Sequence, residues 1–360
     1  MRATVYVRDG HDNGWTALRA LMAAAVMVGH AMIIANRDLA AEPMVYGSYS
    51  ISYMAVNAFF VASGFLVTAS MMHRGRLLDF VVARGLRIYP ALIVHVLVVM
   101  LVVGVANTTL PLGAYLAHPE VWLQLPRVLL FIDTDFLLPG VFAGNHEAYA
   151  SAPLWTLRFE LLAYAGTAIA FALGLMRSRG WIAAQFGAFV ILWLVARGTG
   201  LFDEVPGSVQ NVLRFGLPYG LGALIWAYRD ELPFRAWVVP FVWIAAVVSA
   251  GSILGEVVMN MAVAYSLFWM AYGGSKLFDR WAKGADISYG LYIWHWPILQ
   301  WIAAQTSGLG SVEMIAIAAP LTVVAAWVSW HVVEKPMLAK KGALAAWVRT
   351  KRRKSVLVAE

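Results

Sequence analysis

Apolar stretches long enough to cross a bilayer recur along almost the whole chain. A membrane-spanning helix needs about 17–25 apolar residues, and ten stretches of the sequence meet this requirement. They cover residues 16–36, 51–71, 88–108, 153–176, 181–197, 209–228, 236–254, 257–275, 287–305 and 312–333. Hydrophobic residues make up 61% of the chain and charged residues only 13%, against about 25% charged residues in soluble domains. The sequence therefore predicts an all-α, polytopic membrane bundle of about ten transmembrane helices.

Positive charge divides unevenly between the two sides of such a bundle. Of the 27 Lys and Arg residues, 21 fall in the termini and the even-numbered connections, and three fall in the odd-numbered connections. Cytoplasmic loops of membrane proteins are enriched in Lys and Arg. We therefore predict that both termini lie in the cytoplasm. Because the positive charge follows this topology, we expect contact with the lipid bilayer and no nucleic-acid partner.

One connection, residues 109–152, is much longer than the others. Four prolines interrupt its short apolar segments: Pro111, Pro119, Pro126 and Pro139. This pattern indicates an extracytoplasmic cap or a re-entrant segment. We predict one membrane domain over residues 1–336, followed by a basic cytoplasmic tail over residues 337–360.

The sequence also limits the chemistry that the chain can carry. It contains no cysteine, which excludes disulfides, thiolate nucleophiles and cysteine-based metal sites. It contains no P-loop, GxGxxG loop or His/Glu metalloprotease motif. We therefore predict no metal cofactor.

Arg19 and His30 lie eleven residues apart in the first apolar stretch. On a helix this spacing is about 16 Å, or half of a ~30 Å hydrocarbon core. Arg19 is then at the cytoplasmic edge, where a guanidinium can hold a phosphate, and His30 is near the middle, where an imidazole can act as a base or a nucleophile. The alternative is an arginine that reaches the membrane surface and a histidine that only bonds to a neighbouring helix.

A second basic pair, Arg84 and Arg87, precedes the third stretch on the cytoplasmic side. Residues three apart share a helix face, and two guanidinium groups on one face suit a phosphate cluster. Ordinary enrichment of positive charge in cytoplasmic loops explains the pair equally well.

Glu160 lies seven residues after Pro153, about 10 Å along the fourth stretch. A carboxylate at that depth needs a partner. A histidine of another helix, such as His30, is the partner that we predict, because a carboxylate orients an imidazole and raises its basicity. The alternative is an ion pair that only fixes helix packing.

The ninth stretch begins with an aromatic motif that contains Tyr289, Tyr292, Trp294, His295 and Trp296. Its histidine lies at mid-membrane depth, and its aromatic rings could line a pocket or stack on a sugar, although each taken singly fits ordinary packing. Asn57, a polar residue inside the second stretch, fits hydrogen bonding between helices by default.

These motifs, in this order, closely resemble the acyltransferase-3 family of polytopic membrane acyltransferases. Any one of them is weak, whereas the ordered set is specific and spans about residues 18–336. The matching segments are Leu18 to His30, Asn57 to Leu66, Arg84 to Pro90, Pro153 to Glu160, Ser288 to Pro297 and Glu334 to Pro336.

The resemblance implies transfer of an acyl group, typically acetyl, from cytosolic acyl-CoA to hydroxyl groups of glycans or glycolipids, in the bacterial cytoplasmic (inner) membrane. It assigns Arg19, Arg84 and Arg87 to the CoA phosphates. His30 becomes the general base or a transient acyl carrier, and Glu160 its orienting carboxylate.

The same resemblance suggests where the acceptor binds. We expect its contacts at the following residues: Asn57, Arg158, Tyr289, Trp294 and His295. Arg158 departs from the family pattern, in which a small or uncharged residue is usual, and an extra cation would suit an acidic sugar.

A transporter or flippase of lipid-linked glycans is the alternative function. Histidine and glutamate at the membrane midplane would then relay protons. Such transporters are built from internal repeats, and none is evident in this sequence.

Overall fold

The computed structural model describes residues 4–5, 14–47, 49–273 and 285–357. Its elements are almost all helical. The α-helices are α1 Trp15–Asn36, α2 Ile51–Arg74, α3 Leu77–Val98, α4 Gly104–Asn107, α5 Leu112–Ala117, α6 Pro119–Leu129, α7 Leu157–Ala172, α8 Arg179–Gly198, α9 Leu201–Glu204, α10 Gly207–Ala227, α11 Val238–Ser249, α12 Gly255–Gly273, α13 Ser288–Gln305, α14 Ser311–Ser329, α15 Lys335–Ala339 and α16 Lys341–Leu357.

Short non-α segments complete the described chain. Turns of 3₁₀ helix cover Leu39–Ala41 and Ala152–Thr156, and π-helical turns cover Val99–Val103 and Trp330–Glu334. Two antiparallel two-stranded ribbons are present. They pair β1 Thr4–Val5 with β4 Phe234–Arg235 and β2 Met44–Tyr46 with β3 Tyr49–Ser50. The π turns join α3 to α4 and α14 to α15 into long continuous rods.

Each of the ten predicted stretches contains a helix, so the all-α prediction is confirmed. Five helical segments of the described chain are long and apolar enough to cross a membrane. They are Trp15–Asn36, Ile51–Arg74, Leu77–Asn107, Arg179–Gly198 and Ser311–Ala339. The total of ten spans and the cytoplasmic termini stay predictions. Arg2, Arg8, Lys276, Arg280 and Lys283, which contributed to the charge bias, lie outside the described residues.

The helix found in the predicted seventh span, residues 236–254, is shorter than a membrane crossing requires. This helix, α11, has only 12 residues, fewer than the ~17 that a span requires. Gly251 follows with a φ of 78°, a left-handed backbone that ends helices. The apolar residues after α11 therefore belong to the turn into α12.

Helices α2 and α10 pack with their backbones in close contact. A Cβ atom added to Gly64 would lie 1.9 Å from the carbonyl oxygen of Tyr219, and one added to Gly222 would lie 2.0 Å from that of Val61. Small residues allow this approach in membrane bundles. Phe60 and Phe215 stack beside the contact, with ring centroids 4.2 Å apart. The pair forms one wall of the bundle interior.

The long connection folds against α3 and α13. Tyr115 is fully buried and donates a hydrogen bond of 2.8 Å to the carbonyl of Met100. Trp296 of α13 donates through Nε1 to the carbonyl of Tyr149 at 2.8 Å. Isolated bridges between Thr108 and Val141 and between Leu137 and Tyr149 hold the segment together.

The basic tail continues as helix. Its last described helix, α16, is tied to α3 because Arg349 donates to both carboxylate oxygens of Asp79, each at 2.7 Å.

We predict that Gly222→Ala destabilises the protein, because the new methyl group meets a backbone oxygen and forces α2 and α10 apart. The expected loss is about 1–3 kcal/mol. Thermal unfolding of purified protein, followed by tryptophan fluorescence, measures it. Gly187→Ala in α8 is the matched control, because a Cβ atom there meets nothing within 4 Å. We expect it to be neutral or slightly stabilising; equal losses in the two variants would contradict the packing argument.

Candidate functional site

Helices α1 and α13 run side by side and are joined by polar contacts at two levels. Arg19 Nη1 lies 3.0 Å from Asp286 Oδ2, just before α13 begins. His30 Nδ1 lies 2.8 Å from His295 Nε2. The contacts are eleven residues apart on one chain segment and nine on the other. The two helices are therefore parallel and in fixed register.

The first level is a cluster of two arginines and two carboxylates. Arg87 of α3 donates through Nη2 to Asp286 at 2.9 Å and through Nη1 to Glu334 at 3.3 Å. Glu334 is only 1% exposed and also accepts a hydrogen bond from Ser329 at 3.1 Å. We call Arg19, Arg87, Asp286 and Glu334 the arginine–carboxylate cluster. It joins α1 and α3 to the start of α13 and to the π turn after α14.

Asp286 is the centre of this cluster. Burial alone would raise the pKa of its carboxyl group, but the Arg19 and Arg87 guanidinium groups and a 2.7 Å hydrogen bond from Ser288 outweigh it. The pKa of Asp286 is thereby held well below its usual range. The Asp286 carboxylate is therefore ionised at physiological pH, and its negative charge faces both guanidinium groups.

A cavity of about 100 Å³ lies beside the cluster. Its polar lining residues are Arg19, Ser63, Arg84, Arg87, Thr156, Glu160, Tyr164, Ser288, Tyr289 and Tyr292. A 2.7 Å hydrogen bond between the Thr156 and Tyr292 hydroxyls lies at the wall nearest the histidines. We call this space the inner cavity. Arg19, Arg84 and Arg87, the three arginines that the family resemblance assigns to the CoA phosphates, all line it.

Arg84 differs from the other two arginines of the inner cavity. It donates through Nη2 to Ser70 Oγ at 3.2 Å and lies 5.7 Å from the Tyr164 ring. Within the described parts of the chain it forms no ion pair, whereas Arg19 and Arg87 are both neutralised by carboxylates. Arg84 is therefore the arginine with charge to spare for a bound anion.

The histidine pair fixes which ring nitrogen of His30 is free. His295 Nδ1 lies 3.1 Å from the carbonyl of Leu291, so this nitrogen must carry the proton. In a neutral ring Nε2 is then an acceptor, and His30 Nδ1 must donate to it. His30 is left with a lone pair on Nε2. His295 is fully buried and His30 is partly exposed, so His30 is the more accessible member of the pair.

Glu160 does not pair with His30. Its Oε1 accepts hydrogen bonds from the hydroxyl of Tyr164 and, at 3.4 Å, from that of Ser63. The predicted histidine–carboxylate contact is thus replaced by the contact between His30 and His295. The reason is helix placement: α13, not α7, supplies the side chain beside His30, and Glu160 points into the inner cavity.

The remaining predicted site residues are scattered. Tyr289 lines the inner cavity beside Arg87 and donates to the carbonyl of Ile88 at 3.2 Å. Asn57 is fully buried, and neither atom of its amide has a hydrogen-bond partner among the described residues. Arg158 stacks on Phe159, with its Cζ 5.0 Å from the ring centroid. Trp294 lies edge-on to His95 at 4.7 Å.

Sequence reasoning missed several residues of this site. Asp286 precedes the aromatic motif by one residue, and its signal was a lone acidic residue next to a predicted helix start on the positively charged side. Thr156 lies in the segment Pro153 to Glu160 but carried no role, whereas Tyr292 was expected, like the other aromatic residues of its motif, to line a pocket or stack on a sugar. His95 and Ser151, bonded at 2.9 Å and fully buried, were not predicted to meet. In the described chain, no three His, Asp or Glu side chains are grouped to hold a metal ion.

Comparisons with known proteins give matches that extend over nearly the whole chain. A sequence profile described as an acyltransferase domain matches residues 12–332. The O-acetyl transferase of Shigella phage Sf6 is 25% identical over 343 residues, which cover 91% of this chain and 97% of that protein. Nodulation protein 10 of Rhizobium leguminosarum bv. viciae is 26% identical over 379 residues, with 94% and 96% covered. No solved structure matches.

We predict that Glu334→Gln lowers the free energy of unfolding by roughly 3 kcal/mol, because it leaves part of the buried Arg87 charge uncompensated. Thermal or denaturant unfolding in detergent measures the loss. Glu231→Gln is the matched control: Glu231 pairs with Arg179, and both side chains are more than half exposed. An exposed pair contributes about 0–1 kcal/mol, so equal effects of the two changes would argue against a structural role for the cluster.

Proposed function

Because the chain belongs to the acyltransferase-3 family, we propose that it transfers an acyl group, typically acetyl, from cytosolic acyl-CoA to a hydroxyl of an extracytoplasmic glycan or glycolipid. The observation that carries this proposal is the order of groups along α1 and α13. Arginines lie at one end, a cavity follows, and a partly exposed histidine with a free ring nitrogen lies beyond it.

The donor would bind from the arginine end. Arg84 offers an unpaired guanidinium to a CoA phosphate, and Arg19 and Arg87 add charge when the phosphate competes with Asp286 for them. The inner cavity holds about 100 Å³, less than the roughly 300 Å³ of a ligand pocket. Donor binding therefore requires the side chains around the cavity to move apart.

At the other end, His30 would act as the general base. Its Nε2 takes the proton of the acceptor hydroxyl while the oxygen attacks the thioester carbonyl. The tetrahedral intermediate then collapses, the C–S bond breaks, and the leaving thiolate recovers the proton from His30. His295 acts as a positioning residue, because its acceptor nitrogen keeps the proton of His30 on Nδ1.

Glu160 receives a different role from the one that its depth suggested. It lies in the inner cavity, with Tyr164 and Ser63 on its Oε1. We assign it to the donor: its carboxylate can accept a hydrogen bond from an amide N–H of the pantetheine arm.

The acceptor would meet His30 from the face opposite the arginines. Asn57 supports a polar ligand there, since a fully buried amide with both atoms unpaired is rare in folded proteins. Arg158 and Trp294 stay candidates for sugar contacts, with Arg158 suited to an acidic sugar. Tyr289 lies beside Arg87 and belongs to the donor end. A bacterial cytoplasmic membrane is the location that we propose, consistent with relatives from a Shigella phage and a Rhizobium.

We expect His30→Gln to lower acyl transfer by about 10²–10⁴-fold, the usual contribution of a general base. The assay mixes purified protein, radiolabelled acetyl-CoA and a glycolipid extract from cells that express the protein. His331→Gln is the control, because His331 is a partly exposed histidine that contacts Trp327 outside the site. Full turnover by His30→Gln would refute its assignment as the base.

The same assay separates the other possibilities. Label that stays on the protein when acceptor is omitted would indicate an acyl-histidine carrier instead of direct transfer. Glycan movement across vesicles in the absence of acyl-CoA, without label transfer, would indicate the transporter alternative.

We expect Arg84→Ala to weaken CoA binding at least about tenfold, because it removes a charge-assisted hydrogen bond to phosphate. Isothermal titration with CoA measures the dissociation constant. Arg76→Ala is the matched control, since Arg76 is an exposed arginine just before α3 that does not line the inner cavity. Unchanged affinity in Arg84→Ala would remove this residue from the donor site.

A further inference from the structure

A polar groove lies at the end of the bundle opposite the arginine–carboxylate cluster. It has two lobes of about 360 and 560 Å³, both within the roughly 300–1,000 Å³ of ligand pockets. Arg37, Asn145, Thr306 and Ser307 line both lobes, so the lobes form one continuous surface. We call it the outer groove. It is several times larger than the inner cavity.

The lining of the outer groove combines amides and hydroxyls with alanines and a few larger apolar residues. Asn36, Asn107, Asn145 and Gln305 contribute side-chain amides, each with donors and acceptors. The threonine and serine residues of the lining add hydroxyl groups to these amides. The amides and hydroxyls suit a polyhydroxylated ligand, because sugar hydroxyls also donate and accept hydrogen bonds.

The floor of the groove is preorganised by buried hydrogen bonds. Gln300 is fully buried and donates to the carbonyl of Glu147 at 2.7 Å. Asn145 donates to the Gln300 side chain at 2.6 Å and to its backbone carbonyl at 3.0 Å. At the rim, Gln305 donates to Asn107 at 3.3 Å. Polar groups held in this way lose little freedom when a ligand binds.

Arg37 has an uncommon backbone conformation, and its charge has no partner among the described residues. It ends α1 with a φ of 53°, a left-handed conformation that glycine or asparagine adopts more easily. Its guanidinium has no ion-pair or hydrogen-bond partner in the ranges that the structure describes. Phe142, another non-glycine residue with a positive φ, lines the same groove. Residues held in this region concentrate at ligand sites.

The groove lies directly outward of the histidine pair. Ile34 lines it and is one helical turn, about 6 Å, beyond His30 on α1. Trp296 lies between the two: its ring is edge-on to His30 at 5.0 Å, and its Nε1 donates to the carbonyl of Tyr149 under the groove floor. The groove and His30 are thus neighbours along α1, with the Trp296 ring between them.

We propose that the outer groove is a carbohydrate subsite that holds the sugar units flanking the reacting one, with Arg37 at the junction of its lobes. This rests on the proposed function for the identity of the reaction. It deepens that function by specifying the acceptor: an oligosaccharide or longer glycan chain, not a free monosaccharide or an aglycone alone.

The test is binding of the purified full chain, in nanodiscs, to an array of defined glycans from monosaccharides to longer chains. We expect retention on a subset of the longer chains and none on the monosaccharides. Arg37→Gly and Gln305→Ala should lower retention roughly tenfold. Glycine suits the backbone of residue 37, so Arg37→Gly removes the guanidinium without strain. Arg197→Ala, which removes an exposed arginine outside the groove, should bind as the wild type does.

The outcomes separate this proposal from the proposed function. Binding that survives in His30→Ala but not in Arg37→Gly supports the groove even if no acyl transfer is ever detected. No retention of any glycan by the wild type, or equal retention by wild type and both groove variants, overturns it. Acyl transfer that proceeds equally well to monosaccharides and to chains also overturns it while leaving the acyltransferase intact.

Discussion

The parallel register of α1 and α13 is the constraint on which the candidate site depends. Asp286 meets Arg19 at one level and His295 meets His30 at the other. Two contacts between two rigid helices leave no freedom to slide, because a shift by one turn would break both. This register sets the distance between the arginine end and the free nitrogen of His30, which is the distance that the proposed donor would have to span.

The arginine end is unlike a simple basic patch. Asp286 and Glu334 lie against Arg19 and Arg87, so the protein holds these cations in place with its own side chains. A buried guanidinium without a partner would be strongly destabilising. The carboxylates therefore stabilise this end of the bundle, and under the proposed function they would compete with the phosphates of a donor. Arg84, which lacks such a competitor among the described residues, would then be the first contact, with exchange at the other two arginines following.

The sequence predicted best those features that depend on the residues of a single helix. The apolar stretches located the helices, and residues 16–36 differ from Trp15–Asn36 by a single position. The eleven-residue spacing of Arg19 and His30 gave their separation because both lie on α1. The starts of helices were predicted less well. Helix α3 begins at Leu77, well before the predicted residue 88, because its first turns are amphipathic and do not form a continuous apolar stretch.

The sequence alone could not predict which side chains of different helices contact each other. Depth in the membrane made Glu160 and His295 equally eligible to meet His30, and depth alone does not determine which helix lies beside α1. Acid–histidine pairs are common in acyl transfer, which favours the carboxylate on the sequence alone. Neighbouring helices are selected by packing, such as the close approach of α2 and α10 through Gly64 and Gly222, and that information is spread over the whole bundle.

A histidine partner has chemical consequences that a carboxylate would not have. A carboxylate beside His30 would stabilise an imidazolium, whereas a second imidazole orients the ring without adding negative charge. Because the two nitrogens are 2.8 Å apart, the pair can hold one extra proton between its rings but not two separate positive charges. In the mechanism that we propose, a proton taken from an acceptor hydroxyl would thus be shared between the rings and returned to the leaving thiolate.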